Sequence, residues 1–251
     1  MPPRVFAKSL VFGCLWLGAS PVFAAPLIAP TAIDWLLDCP FPAFERPDHD
    51  VLERTQCATV NVPRDHDAPK RGSVRLALTR VGARQPLNRE GVVFIQSGEP
   101  QKAASATFVV HLASRWESYA TPAYRTLVDR YDVIELSLRD LNQQNGVEQA
   151  ARDMEFVRAQ LGDAQLNYLG NADATRLGSR YASLFPERIA RMVLVNAGHA
   201  EPTASGVEQL LLKESVRPTD AGCVNRWMAD FLVLGKQPPS STRCLDLGSW
   251  E

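Results

Sequence analysis

The sequence predicts an α/β protein built on a mostly parallel, doubly wound sheet with an antiparallel hairpin at its N-terminal side. Three observations predict it. Short apolar runs of strand length recur at residues 91–96, 131–136, 166–169 and 190–195, and strands apolar on both faces are what a buried parallel sheet requires. Segments of helical period lie between them, and strands alternating with helices imply right-handed crossovers that cover both faces of the sheet. Ahead of these, two β-rich runs, 58–63 and 73–81, flank a polar turn containing Asp65, Asp67, Pro69 and Gly72, which reads as a hairpin.

The chain begins with Arg4 and Lys8, an apolar stretch over 9–23 and the small-residue site Val22-Phe23-Ala24-Ala25. This is the layout of a signal peptide, 1–24, cleaved after Ala24. A membrane anchor is the competing reading, but the run is short for a spanning helix and is interrupted by Gly, Ser and Pro. Cys14 raises a lipoprotein alternative; Phe12 suits the site before it poorly, and Cys14 is expected to leave with the signal. The protein is then exported, periplasmic or secreted, with no stable membrane anchor.

Four cysteines remain, Cys39, Cys57, Cys223 and Cys244, an even number in a chain bound for an oxidising compartment. Three pairings are open. The local ones, Cys39 with Cys57 and Cys223 with Cys244, close short loops and contribute about 3 kcal/mol each in the chain-entropy model. Zinc is the alternative, but there is no C-x-x-C pair, so no metal and no cofactor is expected. With 251 residues, 45% hydrophobic and 22% charged, the chain can bury one sizeable core. Its 27 basic and 28 acidic residues are mixed along the chain, with a net charge of -1, which gives no basic face for nucleic acid.

After a Pro-rich stretch at 40–47 and the hairpin, the strand at 91–96 leads into 105–130, apolar at its start, with Trp116, Tyr119 and Tyr124 in its middle. Pro122 divides it into a loop and a helix. The aromatic cluster is expected to pack, with an exposed groove as the alternative. Beyond the strand at 131–136, Val147, Ala151, Met154, Val157 and Leu161 form one apolar stripe of a helix over 147–161, ended by Gly162. A further helix covers 175–184.

Residues 166–185 read as strand, sharp turn and helix, the layout that presents a nucleophilic serine in the G-x-S-x-G elbow. Gly170 is kept, Ala172 stands where Ser belongs, and Ala174 replaces the second Gly. A methyl group can neither attack a carbonyl nor give a proton to a base, so no acyl-enzyme can form there. Asp173 as a carboxylate nucleophile is the weaker reading; one position late, it favours the helix start through the macrodipole. Ser97, Ser105, Ser137 and Ser179 are read as ordinary loop or helix serines. The two Asp-His-Asp tripeptides, 48–50 and 65–67, are read as solvated loops in preference to a metal site.

Cys57-Ala-Thr-Val-Asn-Val-Pro-Arg-Asp, Gly91-Val-Val-Phe-Ile, Tyr131-Asp-Val-Ile, Asp153-Met-Glu-Phe-Val-Arg-Ala-Gln-Leu-Gly, Asn167-Tyr-Leu-Gly and Phe185-Pro-Glu-Arg-Ile-Ala-Arg-Met-Val-Leu together resemble the exported α/β-hydrolases of the tripeptidyl aminopeptidase type, relatives of proline iminopeptidase. Cys223-Val-Asn-Arg-Trp-Met-Ala-Asp-Phe-Leu-Val-Leu-Gly-Lys-Gln-Pro-Pro with Thr242-Arg-Cys244 resembles that family's C-terminal segment. The resemblance implies a core over 25–202 and a C-terminal segment over 203–251.

It also implies a Ser, Asp and His triad, a Gly-rich oxyanion loop and a helical cap, and this chain departs from each. Where the family has Pro-Gly-Gly-Pro-Gly, it has Ser97-Gly98-Glu99-Pro100-Gln101, so Glu99 sets a carboxylate where negative charge must build, and Gly98 and Gln101 belong to an altered loop. Where the family has Asp-Pro-Arg-Gly-x-Gly-x-Ser, it has Ser137-Leu138-Arg139-Asp140-Leu141-Asn142-Gln143-Gln144, and only the Arg remains. Asn196-Ala197-Gly198-His199 resembles the family's His-bearing loop, which would make 190–199 the last strand and His199 a vestigial triad residue; a partly exposed loop histidine is the favoured reading. The cap and the Asp-bearing strand have no counterpart.

The expectation is a truncated α/β-hydrolase fold without a cap, inactive, binding a peptide or protein in the vestigial cleft. A residual peptidase or esterase with a relocated nucleophile is the alternative. An eroded remnant, unstable unless Leu210 to Leu212 and the C-terminal helix cover the uncovered apolar surface, is a third.

Overall fold

The computed structural model describes residues 33–41, 48–97, 107–118, 121–198, 206–212 and 221–239, all within one compact unit, Thr31–Glu251. Residues 1–24, expected as a signal peptide, Ser105, Tyr119, His199, the residues Gly98, Glu99 and Gln101 expected in an altered oxyanion loop, and Cys244 lie outside the described residues, as does the side chain of Cys223.

Eight strands form one sheet: β1 (Ile33–Trp35), β2 (Thr55–Pro63), β3 (Ser73–Val81), β4 (Gly91–Gln96), β5 (Tyr131–Leu136), β6 (Leu166–Asn171), β7 (Ile189–Val195) and β8 (Glu208–Leu212), in the spatial order β1-β2-β3-β5-β4-β6-β7-β8. The first three pair antiparallel, and β3 also meets β5 antiparallel. From β5 through β4, β6 and β7 to β8 every pairing is parallel. The expected hairpin is β2 and β3, in unbroken register from Thr55 opposite Val81 to Pro63 opposite Ser73. Cys39 and Cys57 are joined, with Cα atoms 5.1 Å apart, which ties the segment after β1 to β2.

The helices divide between the two faces. Against one lie α2 (Thr107–Ser118), α3 (Pro122–Arg130) and α6 (Ala221–Leu234), with Val110, Trp116, Tyr124, Leu127 and Phe231 closing a core over Val93, Ile95, Val133 and Val193. Against the other lie α4 (Gly146–Leu161) and α5 (Ala174–Leu184), with Ala151, Met154, Leu177 and Tyr181 packed on Phe94, Ile134, Tyr168 and Met192. The stripe read from the sequence on α4 is this buried face. Gly162 ends the helix with φ 79°, a left-handed conformation that glycine adopts without a Cβ penalty.

Three expectations need correction. Pro122 does not divide a loop from a helix: α2 precedes it, and Pro122 starts α3 at a position where its missing N–H leaves no helical bond unmade, with Thr121 capping through Tyr124 N–H. The strand at 189–195 is not the last of the sheet, because β8 lies beside it in parallel. The second Asp-His-Asp is not a solvated loop: His66 is tucked against α4, its Nε2 2.7 Å from Asp153 Oδ1 and its backbone N–H donating to Gln149 Oε1. The first tripeptide opens α1 (His49–Glu53) and is exposed.

The apolar surface flagged as needing cover is covered. Leu210 and Leu212 on β8 are buried with Met228, Ala229 and Leu232 of α6. Arg191 on β7 donates to the carbonyls of Leu232 and Val233 at the end of α6, where the helix dipole favours a cation. Trp116 and Tyr124 are fully buried, so these two aromatics pack. Among the described residues no helical cap is present, and the connection from β7 to β8 is too short to hold one.

Candidate functional site

The parallel strands end on one edge of the sheet, and the turn from β6 into α5 sits there. Ala172 occupies its apex with φ 49°, a left-handed backbone that costs a residue with a Cβ about 1–2 kcal/mol. The surroundings hold it in place. Ala172 N–H donates to Val195 O at the end of β7, and the Ala172 carbonyl accepts from both Thr175 N–H and Thr175 Oγ1, at 3.0 and 2.6 Å. Asn196, itself at φ 56°, donates its N–H to Leu212 O and its Nδ2 to Asn171 Oδ1. The ends of β6, β7 and β8 are thus laced around a strained residue, which is how strain persists at an elbow.

Glycine is used here for close approach. A Cβ on Gly170 would stand 2.6 Å from Tyr168 Cε1 and 2.9 Å from Ala174 O, and one on Gly178 2.4 Å from the same Tyr168 atom. Tyr168 is fully buried, and its hydroxyl donates to Ala174 O. The ring therefore fills the space between strand and helix. Ala174 fits where the elbow pattern has its second Gly, because the close approach falls one turn later, at Gly178.

Ala172 is exposed and lines a cleft of about 230 Å³ with Asp173, Thr175, Arg176, Asn196 and Gly198. Asp173 takes helical angles with an exposed, uncapping side chain, as expected for a helix start. Ser137 Oγ accepts from Ala77 N–H and is bound into the sheet edge, while Ser179 is buried in α5. Among the described residues there is no group of His, Cys, Asp and Glu side chains able to hold a metal ion.

A family model described as alpha/beta hydrolase fold matches residues 102–236, just over half of the chain. The chain belongs to the α/β-hydrolase fold family. Within it, the similarity is to enzymes of the tripeptidyl aminopeptidase type. A tripeptidyl aminopeptidase of Streptomyces lividans is 26% identical over 219 aligned residues, covering 68% of this chain and 39% of that protein. A serine protease Hip1 of Mycobacterium tuberculosis is 43% identical over 63 residues, 25% of this chain and 12% of that one. The chain thus spans well under half the length of these curated relatives. Among solved structures, Cfl2 of Burkholderia cenocepacia aligns over 73% of this chain and 53% of that one, at 16% identity and a TM-score of 0.40.

In this fold Ala172 is the residue at the turn from β6 into α5. Two features were beyond sequence reasoning. Arg139, the surviving residue of the second motif, does not face the cleft chemistry: its guanidinium grips both oxygens of Asp153 at 2.7 and 2.6 Å and donates to the carbonyls of Pro63 and Arg64. Glu135, four residues earlier on β5, is a carboxyl that burial pushes up to about 7 against the opposing hydrogen bond from Val109 N–H in the first turn of α2. Neither partner is near in sequence, so spacing carried no signal for either.

Proposed function

We propose that this chain is an exported, non-hydrolytic α/β-hydrolase of the tripeptidyl aminopeptidase type that binds a peptide in the cleft at the elbow. The observation that carries the proposal is Ala172 at the strained turn with φ 49°: the backbone that exposes a nucleophile is kept, and the side chain there has no oxygen. The residue after it strengthens the reading. In the family the N–H following the nucleophile helps bind the oxyanion, and here that residue is Asp173, whose exposed carboxylate repels developing negative charge. In the sequence that follows β4, Glu99 stands where the family's oxyanion loop has glycine, a further departure from the catalytic pattern.

Export is supported by the N-terminal pattern and by the Cys39–Cys57 bond, since disulfides persist in oxidising compartments. No helix among the described residues is long and apolar enough to cross a membrane. Within the C-terminal segment 203–251, a role for β8 and α6 as a closing layer is supported by the burial of Leu212 and Phe231 in one core.

The test is chemical rescue of the missing atom. The Ala172→Ser variant should hydrolyse tripeptide p-nitroanilides and p-nitrophenyl esters no faster than wild type, and a fluorophosphonate should label neither protein. Hydrolysis or labelling by wild type would reveal a relocated nucleophile and overturn the proposal, while strong hydrolysis by the variant would overturn the repulsion assigned to Asp173 and Glu99.

A further inference from the structure

The loop between β5 and α4 replaces the family's glycine-rich motif with Asn142, Gln143, Gln144 and Asn145, and nothing so far explains that amide-rich run. It lines a groove of about 370 Å³ together with Arg176 and Arg180 of α5. Arg176 also lines the cleft at Ala172, so the two depressions share it as a wall.

The charges of the shared wall are unequal in state. Arg180 is held by Glu148, which also takes Arg152 at 2.9 Å, so that carboxylate is already matched by two cations. Arg176 is exposed, and its guanidinium has no ion-pair partner among the described residues. Among the described residues Asp173 is the other charge lining the cleft, on the elbow side. Among the described residues the loop side therefore offers an unpaired planar cation beside amides that both donate and accept.

Resting on the peptide-binding reading, we infer that this groove takes a peptide bearing a carboxylate, with Arg176 receiving the carboxylate and Asn142, Gln143 and Asn145 meeting the peptide backbone. Guanidinium and carboxylate match as a two-pronged hydrogen-bonded pair. Side-chain amides match main-chain N–H and C=O groups, needing both a donor and an acceptor. The carboxylate can be a C-terminus or an acidic side chain, and the probes below separate the two.

The ¹⁵N-labelled full chain is titrated to millimolar excess with acetyl-alanyl-alanine, its C-terminal amide, and acetyl-glutamyl-alanine amide. One or both carboxylate probes should shift backbone signals of residues 141–148 and 172–180. A response to the free acid alone assigns a C-terminus, and to the glutamyl amide alone an acidic side chain. The Arg176→Gln variant should weaken that binding about tenfold, the scale of one charged hydrogen-bonded pair at an exposed site, and added salt should weaken it in wild type only. The uncharged amide should bind both proteins equally. If carboxylate and amide bind alike, or the variant binds as wild type does, the assignment of Arg176 fails while peptide binding stands. If no probe shifts either region, the peptide-binding reading fails with it. Arg176 is exposed, so unchanged thermal unfolding of the variant confirms that the fold is intact.

Discussion

The Gly178→Ala substitution tests whether α5 is really pressed onto β6 as an elbow requires. The new Cβ would lie 2.4 and 2.6 Å from Tyr168 Cε1 and Cδ1 and 3.1 Å from Leu194 Cδ2. Real carbon contacts are about 3.5–4.0 Å, so more than one ångström must be found. The ring cannot swing aside cheaply, being fully buried with its hydroxyl bonded to Ala174 O at 2.8 Å. Overpacking of this kind costs about 1–3 kcal/mol, and the upper half of that range applies because two ring atoms are struck at once. Against it stands the gain of about 1 kcal/mol from replacing Gly by Ala inside a helix. The net loss is about 1–2 kcal/mol, which for a chain of this size lowers the midpoint of thermal unfolding by a few degrees. Circular dichroism melts and urea titrations of both proteins measure it. A variant as stable as wild type, or more so, would show that the helix does not approach the strand this closely, and the placement of residue 172 at a sharp elbow would lose its support.

The complementary change at the apex should have the opposite sign. Ala172→Gly relieves a left-handed residue by about 1–2 kcal/mol and loses about 0.4–1 kcal/mol through a freer unfolded chain, so a modest rise in the urea midpoint is expected, and a fall would contradict the strained backbone. For Glu135, whose carboxyl is pushed from 4.5 to about 7, the folded form holds its proton more tightly than the unfolded form. Its contribution is fully present below about pH 4.5 and is lost as the pH rises through about 7, amounting to at most about 3 kcal/mol. Glu135→Gln keeps an acceptor for Val109 N–H and should flatten the decline in stability between pH 5 and pH 8; an unchanged pH profile would remove Glu135 as its source.

The parts of this fold legible in the sequence are those written in local pattern. The interior strands β4, β5 and β6 announce themselves as apolar runs, because both their faces are buried, and α4 by its stripe. The turn at Ala172 was legible for the same reason: Gly170 and Ala172 fall at fixed places in a strand-turn-helix pattern. What was not legible depends on distant partners. β8, with Glu208 and Leu211 turned outward, is too short and mixed to read as a strand, and only its pairing with β7 and the cover of α6 make it one. His66 looks like any loop histidine until α4 brings Asp153 to it, 87 positions along the chain.

Arg139 shows why the second motif changed unevenly. Its neighbours in the family's pattern serve the cleft, and here they became Ser137, Leu138 and an amide-rich loop. Arg139 instead neutralises Asp153, whose side chain is 2% exposed, and that same carboxylate accepts from His66 of the hairpin turn. Removing one side of a buried pair strands the other charge, a loss of about 3–5 kcal/mol that is large beside the few kcal/mol separating folded from unfolded protein. The clamp also ties β2, the β2–β3 turn, the loop after β5 and helix α4 at one point. The chain can hold a methyl at residue 172 without consequence for folding, because the apex is exposed. It cannot lose Arg139 so easily. Arg139 and Tyr168 thus have partners that are a buried charge and a packed helix, whereas Ala172, Asp173 and Arg176 face solvent, so the first pair answers to folding and the exposed three are free to answer to binding.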